Sequence, residues 1–372
     1  MDLDNYEAVV RIVVIGVGGA GSNAVNRMMD EHIDNVEFYV LNTDKQALAT
    51  SKAPNRIVLG EEITQGLGAG GDPARGREAA LASAEDIRAI VKGVNMVFIA
   101  AGMGGGTGTG AAPIVAQIAK EEGCLTVGIV TRPFTFEGKI RIAHSVEGLS
   151  ELKEAVDSII IVSNDKLLMA AGGKSISNAF EESDRVLAQS VKTVTDLIMI
   201  PGVINLDFSD VKATLKGSGI ALIGFGLGQG EHKAAEAAES AINSPLLEAS
   251  ISGARRAICA VTCGVNVSLY ETEECVNRII EHAGNSIDIR FGVSINSNLD
   301  DMILVSVIAA DFTEEYDFTS VPTYSLPRRP IEEAVQSKDE AEEETDVNEE
   351  EDEESAISSI LPSFLKGKFG KE

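Results

Sequence analysis

Apolar positions along the chain fall into two kinds of run, and their alternation predicts the architecture. Short stretches rich in β-branched residues lie at Arg11–Ile15, Val36–Leu41, Val94–Ala101, Thr126–Val130 and Ser158–Val162. Helix-period patterns follow at Ala24–Met29, Ala74–Ala82 and Ala111–Glu121. Strands alternating with helices in this way predict an α/β fold with a doubly wound parallel sheet. Asp184–Ile200 then places Val186, Leu187, Val191, Val194, Leu197 and Ile198 at helical spacing, and Pro201-Gly202 stops the run. Beyond it, strand patterns at Ala221–Gly226, Ala257–Thr262 and Ile303–Ala309 are separated by helical stretches at His232–Ile242 and Thr272–His282. That is a second, smaller α/β domain, joined to the first by one long helix.

Glycine interrupts the pattern where chemistry is expected. Gly102-Met103-Gly104-Gly105-Gly106-Thr107-Gly108-Thr109-Gly110 holds six glycines in nine positions between a strand and a helix. Core packing gives no reason for it, since glycine destabilises element interiors and buries no side chain. Such a loop instead exposes backbone N–H groups at a helix N-terminus, a phosphate-binding arrangement. The hydroxyls of Thr107 and Thr109 can add bonds to phosphate oxygens or hydrated magnesium.

A second cluster, Gly16-Val17-Gly18-Gly19-Ala20-Gly21-Ser22-Asn23, follows the first strand. Gly16, Gly18 and Gly21 fit the G-x-G-x-x-G dinucleotide fingerprint, with Asp44 near the position of a ribose-binding acid. Neither cluster carries the Gly-Lys-Ser/Thr ending of a Walker A loop. Ala69-Gly70-Gly71-Asp72-Pro73, Asn42-Thr43-Asp44 and Thr131-Arg132-Pro133-Phe134 also fall at predicted strand ends or helix starts, where open parallel sheets bind ligands.

Composition narrows the function. At 372 residues the chain exceeds one typical domain, and 44% hydrophobic content with 5% aromatics and no Trp suits aliphatic α/β packing. Neither a signal peptide nor an apolar run of spanning length is present, so a cytoplasmic protein without membrane insertion is expected. Cys124, Cys259, Cys263 and Cys275 form no C-x-x-C pair and read as reduced, buried thiols, and the four histidines show no metal-ligand spacing.

A net charge of −27 argues against nucleic acid as a partner. Fourteen acids against one lysine fall between Glu332 and Glu354, with too few apolar residues to order, so a disordered acidic tail is expected. Beyond it, an apolar patch with basic residues, including Ile360, Leu361, Pro362, Phe364, Leu365 and Lys366, has the form of a docking peptide on a spacer.

Asn205, Asp207 and Asp210 stand just past the long helix, far along the chain from the glycine loops. On pattern alone, Ser209 or Asp210 would cap a helix beginning at Val211.

Taken together, the Gly102–Gly110 loop, Gly18-Gly19-Ala20-Gly21-Ser22-Asn23, Thr131-Arg132-Pro133-Phe134 and Gly202–Asp210 resemble the FtsZ family of tubulin-like GTPases, from about Arg11 to Phe312. The C-terminal peptide resembles the family's adaptor-binding segment. Where the family commonly has Ala-Thr-Gly-Phe, this chain has Ala309-Ala310-Asp311-Phe312.

The resemblance implies a tubulin-like GTPase domain at 11–173, a connecting segment with the central helix at 174–202 and an activation/polymerisation domain at 203–312. A flexible N-terminus at 1–10, an acidic linker at 313–355 and a partner-binding peptide at 356–372 complete it. It implies GTP and Mg²⁺ as ligands. Phosphate contacts fall to Gly19, Ala20, Gly21, Gly70, Gly71, Gly105, Gly106, Thr107 and Gly108, with Gly18, Asn42, Asp44, Ala69, Gly102, Gly104, Thr131, Pro133 and Asn164 as further nucleotide-binding residues. Glu137 and Arg141 lie on the ribose side, Phe180 stacks on guanine, and Asn23 and Asp184 read its edge. Asn205, Asp207 and Asp210 enter the pocket of the next subunit and act on the attacking water.

Head-to-tail filaments, a mid-cell division ring at the inner face of the membrane and membrane-tethering partners complete what it implies. Two other readings stay open on the residues: an NAD-dependent oxidoreductase, which the second glycine loop counts against, and a nucleotide-binding scaffold that assembles without hydrolysis.

Overall fold

The structure, a computed structural model, describes residues 10–171, 176–200, 202–284 and 286–313. Its first half runs β1 (Ile12–Val17), α1 (Gly18–Asp30), β2 (Glu37–Asn42), α2 (Lys45–Ala49), β3 (Asn55–Val58), α3 (Glu61–Thr64), α4 (Pro73–Ala82), α5 (Ala84–Val91), β4 (Met96–Gly102), α6 (Thr107–Glu121), β5 (Leu125–Arg132), α7 (Lys139–Ala155), β6 (Ser158–Ser163) and α8 (Asn164–Ala171). The long helix α9 (Ile176–Met199) leads to α10 (Phe208–Leu215), β7 (Gly219–Gly228), α11 (Lys233–Ile242), β8 (Ala254–Cys263), α12 (Leu269–Ala283), β9 (Asp288–Ile295) and β10 (Ile303–Phe312).

Among the described residues, all strands join one sheet in the order β3-β2-β1-β4-β5-β6-β7-β10-β8-β9. The first six are parallel, and β7 continues the sheet beside β6 through three register pairs, Ser158↔Gly219 to Ile160↔Ala221. Strand β10 then pairs antiparallel with both β7 and β8, and β9 lies parallel to β8 at the edge. The fold is thus the tubulin-like two-part α/β arrangement anticipated above, with β3 and β9 as added edge strands.

Two cores, one on each face, follow from strand alternation. Along β1, Val13, Ile15 and Val17 turn to the face covered by residues of α4, α5, α6 and α7, while Ile12 and Val14 turn to the face covered by α1 and α9. The apolar stripe of α9 is this second core's spine. Val186, Leu187, Val191 and Val194 are fully buried beside Ile160 of β6 and Ile258, Leu304 and Ile308 of the second half. One helix therefore packs against both halves of the chain. All four cysteines are buried free thiols.

Candidate functional site

β1 and β4 pair in register from Ile12↔Met96 to Val17↔Ala101, so the glycine runs after them emerge side by side. This is where the strand order reverses, with β2 and β3 on one side and β5 and β6 on the other, the crevice in which open α/β sheets hold ligands. Helix α1 begins at Gly18 and α6 at Thr107, earlier than the sequence pattern predicts, so the glycines form the first helical turns. Their N–H groups are the unpaired donors of two helix N-termini aimed at one crevice.

The loops fit because side chains are missing. Gly18 has φ +74°, and a Cβ there would sit 2.8 Å from Gly108 N; Gly104 has φ +98°, and a Cβ would sit 2.7 Å from Arg141 O. Gly21 backs onto Ala100 O, Gly102 onto the Ala20 methyl, and Gly106 onto Ala69 and Asp72. A Cβ on Gly19 or Gly71 would meet nothing within 4 Å, and one on Gly70 or Gly105 only the ends of Arg75 and Arg141. The closed sides pack the loops together, and the open side is a cradle of exposed backbone.

Neighbouring segments complete the rim. Buried Asn42 ends β2, and its Oδ1 accepts from Asp44 N at 3.3 Å; Asp44 caps α2 by accepting from Gln46 N and Ala47 N. The Thr107 hydroxyl meets that of Thr43 at 2.6 Å, a tie between the residue after β2 and the start of α6 that the sequence pattern does not expose. Thr109 is different. It is buried and accepts from Gly104 N at 2.9 Å, so its hydroxyl shapes the loop instead of facing the crevice. Thr131 O accepts from Met103 N at 2.9 Å, and Pro133 lies beside Gly104.

Glu137 and Arg141 form an ion pair at 2.8 Å, and Glu137 also accepts from Phe134 N. Phe134 is fully buried, stacks on Phe136 at 4.9 Å and meets Phe180 edge-on at 5.0 Å. Phe180 remains 42% exposed, so it is held in place without being a core aromatic. One turn along α9, burial pushes the Asp184 carboxyl up to about 7 against the pull of Arg27 on α1. Asn23, one turn before Arg27, is exposed on α1. Buried Asn164 accepts from Ser183 Oγ at 2.8 Å, which ties the start of α8 to α9 directly beside Asp184.

Asn205, Asp207 and Asp210 are not brought to this cradle. They follow α9, whose nineteen steps from Phe180 to Met199 span about 28 Å at 1.5 Å per residue. The cap there differs from the sequence expectation. Asp207, not Ser209 or Asp210, caps a helix that starts at Phe208, three residues earlier than predicted, and Asp210 reciprocates as the third helical residue. Asp210 N donates to Asp207 Oδ1 at 2.9 Å, and Arg290 Nη1 donates to Asp210 Oδ1 at 2.7 Å. Asn205 Oδ1 accepts from Gly202 N. Ile360, Leu361, Pro362, Phe364, Leu365 and Lys366 lie outside the described residues.

Among the described residues no cluster of three or more His, Cys, Asp or Glu could cage a metal ion, and no helix is long and apolar enough to cross a membrane.

The sequence profile of the Tubulin/FtsZ family GTPase domain matches residues 11–172, and that of the FtsZ family C-terminal domain matches 219–313. FtsZ of M. jannaschii, solved as an empty dimer, is 41% identical with a TM-score of 0.77, over 81% of this chain and 88% of that one. A tryptophan-to-tyrosine mutant of the same protein gives 41% and 0.78, over 82% and 91%. GDP-bound monomeric CetZ1 from Haloferax volcanii, at 21% identity and TM-score 0.72 over 82% and 95%, shares the fold. With the cradle, the strand order and both family profiles in agreement, this chain belongs to the Tubulin/FtsZ family and is a GTPase.

Proposed function

We propose that this GTPase binds GTP in the glycine cradle and hydrolyses it at the contact between subunits of a head-to-tail filament. The observation that carries the proposal is the separation of the two functional clusters along α9. A carboxylate pair about 28 Å down a rigid helix cannot serve the cradle of its own chain, but it can serve that of the next. A relative of 41% identity was solved as a dimer, in keeping with self-association.

Backbone donors of Gly19, Ala20, Gly21, Gly70, Gly71, Gly105, Gly106 and Gly108, with the Thr107 hydroxyl, hold the phosphates. Gly18, Ala69, Gly102 and Gly104 shape the loops that present them, the Gly104 N–H being taken by Thr109 Oγ1. The positive ends of α1 and α6 stabilise their charge. Asn42, Asp44, Thr131 and Pro133 shape the walls, and Glu137 and Arg141 serve the ribose. Phe180 stacks on guanine. Asn23 and Asp184 read its edge: a carboxylate accepts from guanine N1–H and N2–H₂ and repels the N1 lone pair of adenine. Asn164 holds the helix turn that carries Asp184.

Mg²⁺ suits this donor set, because an ion that keeps several waters and binds phosphate oxygens needs no protein cage; Thr107 and Asn205 are the side chains to meet it or its waters. When bound, it neutralises charge on the phosphate oxygens. The chain's own part is orientation. Asp207 and Asp210 polarise the attacking water, which must lie in line with the bond that breaks. Since the loop arrives only with a neighbour, turnover depends on assembly, and hydrolysis weakens the contact.

In the cell this activity builds the division ring on the cytoplasmic side of the membrane, with the peptide after Ser355 tethering filaments to membrane-anchored partners. Deleting that peptide should abolish partner capture and leave GTPase activity intact.

GTP hydrolysis against protein concentration, with light scattering in parallel, tests the mechanism. The rate per subunit should rise above a threshold that coincides with scattering, and Asp210→Ala should retain GTP while losing turnover. A constant rate per subunit, or parental turnover by Asp210→Ala, overturns it.

A further inference from the structure

Edge strand β9 is the template on which the loop between α9 and α10 is laid. Val203 N and Ile204 N donate to Val293 O at 2.8 and 3.2 Å, and Val293 N donates back to Ile204 O at 2.9 Å. The approach is close: a Cβ on Gly202 would lie 2.4 Å from Val293 O, and one on Gly292 2.8 Å from Leu197 Cδ2. Three residues before Val293 on the same strand, Arg290 reaches the first turn of α10. Its Nη1 donates to Asp210 Oδ1 at 2.7 Å, and its Nη2 to Asp288 Oδ2 at 3.3 Å.

Without this arginine, Asp210 would be poorly held. Its other oxygen accepts only a long 3.4 Å bond from Asp207 N, at the outer limit of hydrogen bonding. The guanidinium supplies the short, charge-assisted contact. Asp207 in turn spends Oδ1 on Asp210 N at 2.9 Å. Among the described residues nothing hydrogen-bonds its Oδ2, which is the oxygen left for solvent. An ion pair as open as this one, with Arg290 40% and Asp210 29% exposed, adds little stability. What it does add is direction.

The geometry points to Arg290 as a positioning residue for GTP hydrolysis. It clamps the Asp210 carboxylate and, through the reciprocal cap, aims the free oxygen of Asp207. The inference rests on the reading that this loop serves a neighbouring subunit's nucleotide. Arg290 touches neither nucleotide nor water in it; its effect passes through Asp210.

The test uses the full chain above its assembly threshold, with kcat and KM for GTP measured separately, light scattering for the threshold, and thermal unfolding. Arg290→Ala should lower kcat by roughly tenfold or more, the scale at which small displacements of catalytic groups act. KM, threshold and unfolding temperature should stay at parental values. Arg290→Lys should recover part of kcat, since an ammonium pairs with Asp210 without the guanidinium's fixed fork.

Parental kcat in Arg290→Ala overturns the inference, as does a loss of kcat that merely follows a raised threshold or lowered unfolding temperature. Asp210→Asn separates this failure from that of the underlying reading. If Asp210→Asn is inactive while Arg290→Ala is not, only the positioning role falls. If Asp210→Asn also turns over normally, the interface mechanism falls with it.

Discussion

Asp184 offers a test in which stability and recognition move in opposite directions. Its carboxyl is shielded from solvent, and burial raises it from 3.8 to about 7. Below pH 3.8 the folded and unfolded chains both carry the proton, and nothing is lost. As pH rises from there to about 7, the unfolded chain releases the proton while the folded chain retains it, so stability falls and the loss is complete above pH 7. At about 1.4 kcal/mol per unit the full shift corresponds to at most about 4 kcal/mol, and about 2 kcal/mol after discounting for the solvent that reaches a half-buried residue.

Asp184→Asn keeps the shape and removes the charge. Nucleotide-free variant and parent should therefore unfold at similar temperatures at pH 4, with the variant ahead by roughly 4 °C or more at pH 8. The difference is read between the two proteins at each pH, so groups that titrate in both cancel. Guanine nucleotide binding should move the other way. The carboxylate's acceptors for N1–H and N2–H₂ are charge-assisted, and losing them should cost roughly hundredfold in affinity, measured by titration calorimetry at pH 8. Unfolding curves that stay parallel from pH 4 to 8, or a variant less stable than the parent at pH 8, would refute the claim that Asp184 is an ionised group held out of water for a ligand.

Substitutions at two further positions probe backbone geometry. Asp311 has φ +57°, in the left-handed region, where its side chain pairs with Arg256 at 3.0 Å. Asp311→Ala keeps the strain and loses the pair, so it should cost about 1–2 kcal/mol, whereas Asp311→Gly relieves the first while losing the second and should be neutral to within about 0.5 kcal/mol; urea unfolding distinguishes them. Gly104→Ala places a methyl against Arg141 O at a φ of +98° and should weaken GTP binding by roughly tenfold or more, with thermal unfolding also lowered, because the loop must open to accept it.

The elements visible in the sequence are those whose environment imposes one simple period. β1, β4, β5 and β6 are buried on both faces and read as apolar runs, and α9 carries its stripe because one side faces a core shared by both halves. β3 and β9 escape the pattern for different reasons. Both are edge strands with mixed exposure, but Asn55-Arg56-Ile57-Val58 is short and offers neither an apolar run nor alternation. Asp288–Ile295 does alternate, with Ile289, Phe291, Val293 and Ile295 at every second place, and its strand signal is weakened by the charges of Asp288 and Arg290 and by Gly292. The early starts of α1 and α6 are masked by low helix propensity: glycine is penalised in helices, yet here the helix N-terminus is built of it so that no side chain stands between its amides and the crevice.

The same distinction separates what the site discloses from what it conceals. The phosphate cradle is written in local composition, since only glycine permits Gly18 to lie against Gly108 and Gly104 against Arg141. The carboxylate loop is not self-sufficient in this way. Asp207 and Asp210 cap each other locally, but the loop's path is fixed by Val293 and its charge by Arg290, both on a strand some eighty residues later than Asp210. No local pattern announces that dependence, because an arginine on a solvent-facing edge strand looks like any other solvated charge. It follows that in this chain the nucleotide-holding half of the chemistry tolerates changes outside its own loops better than the water-polarising half does. Substitutions along β9 should alter turnover before they alter GTP binding, and the comparison of kcat with nucleotide affinity across Arg290, Gly292 and Val293 variants is where that asymmetry would be seen.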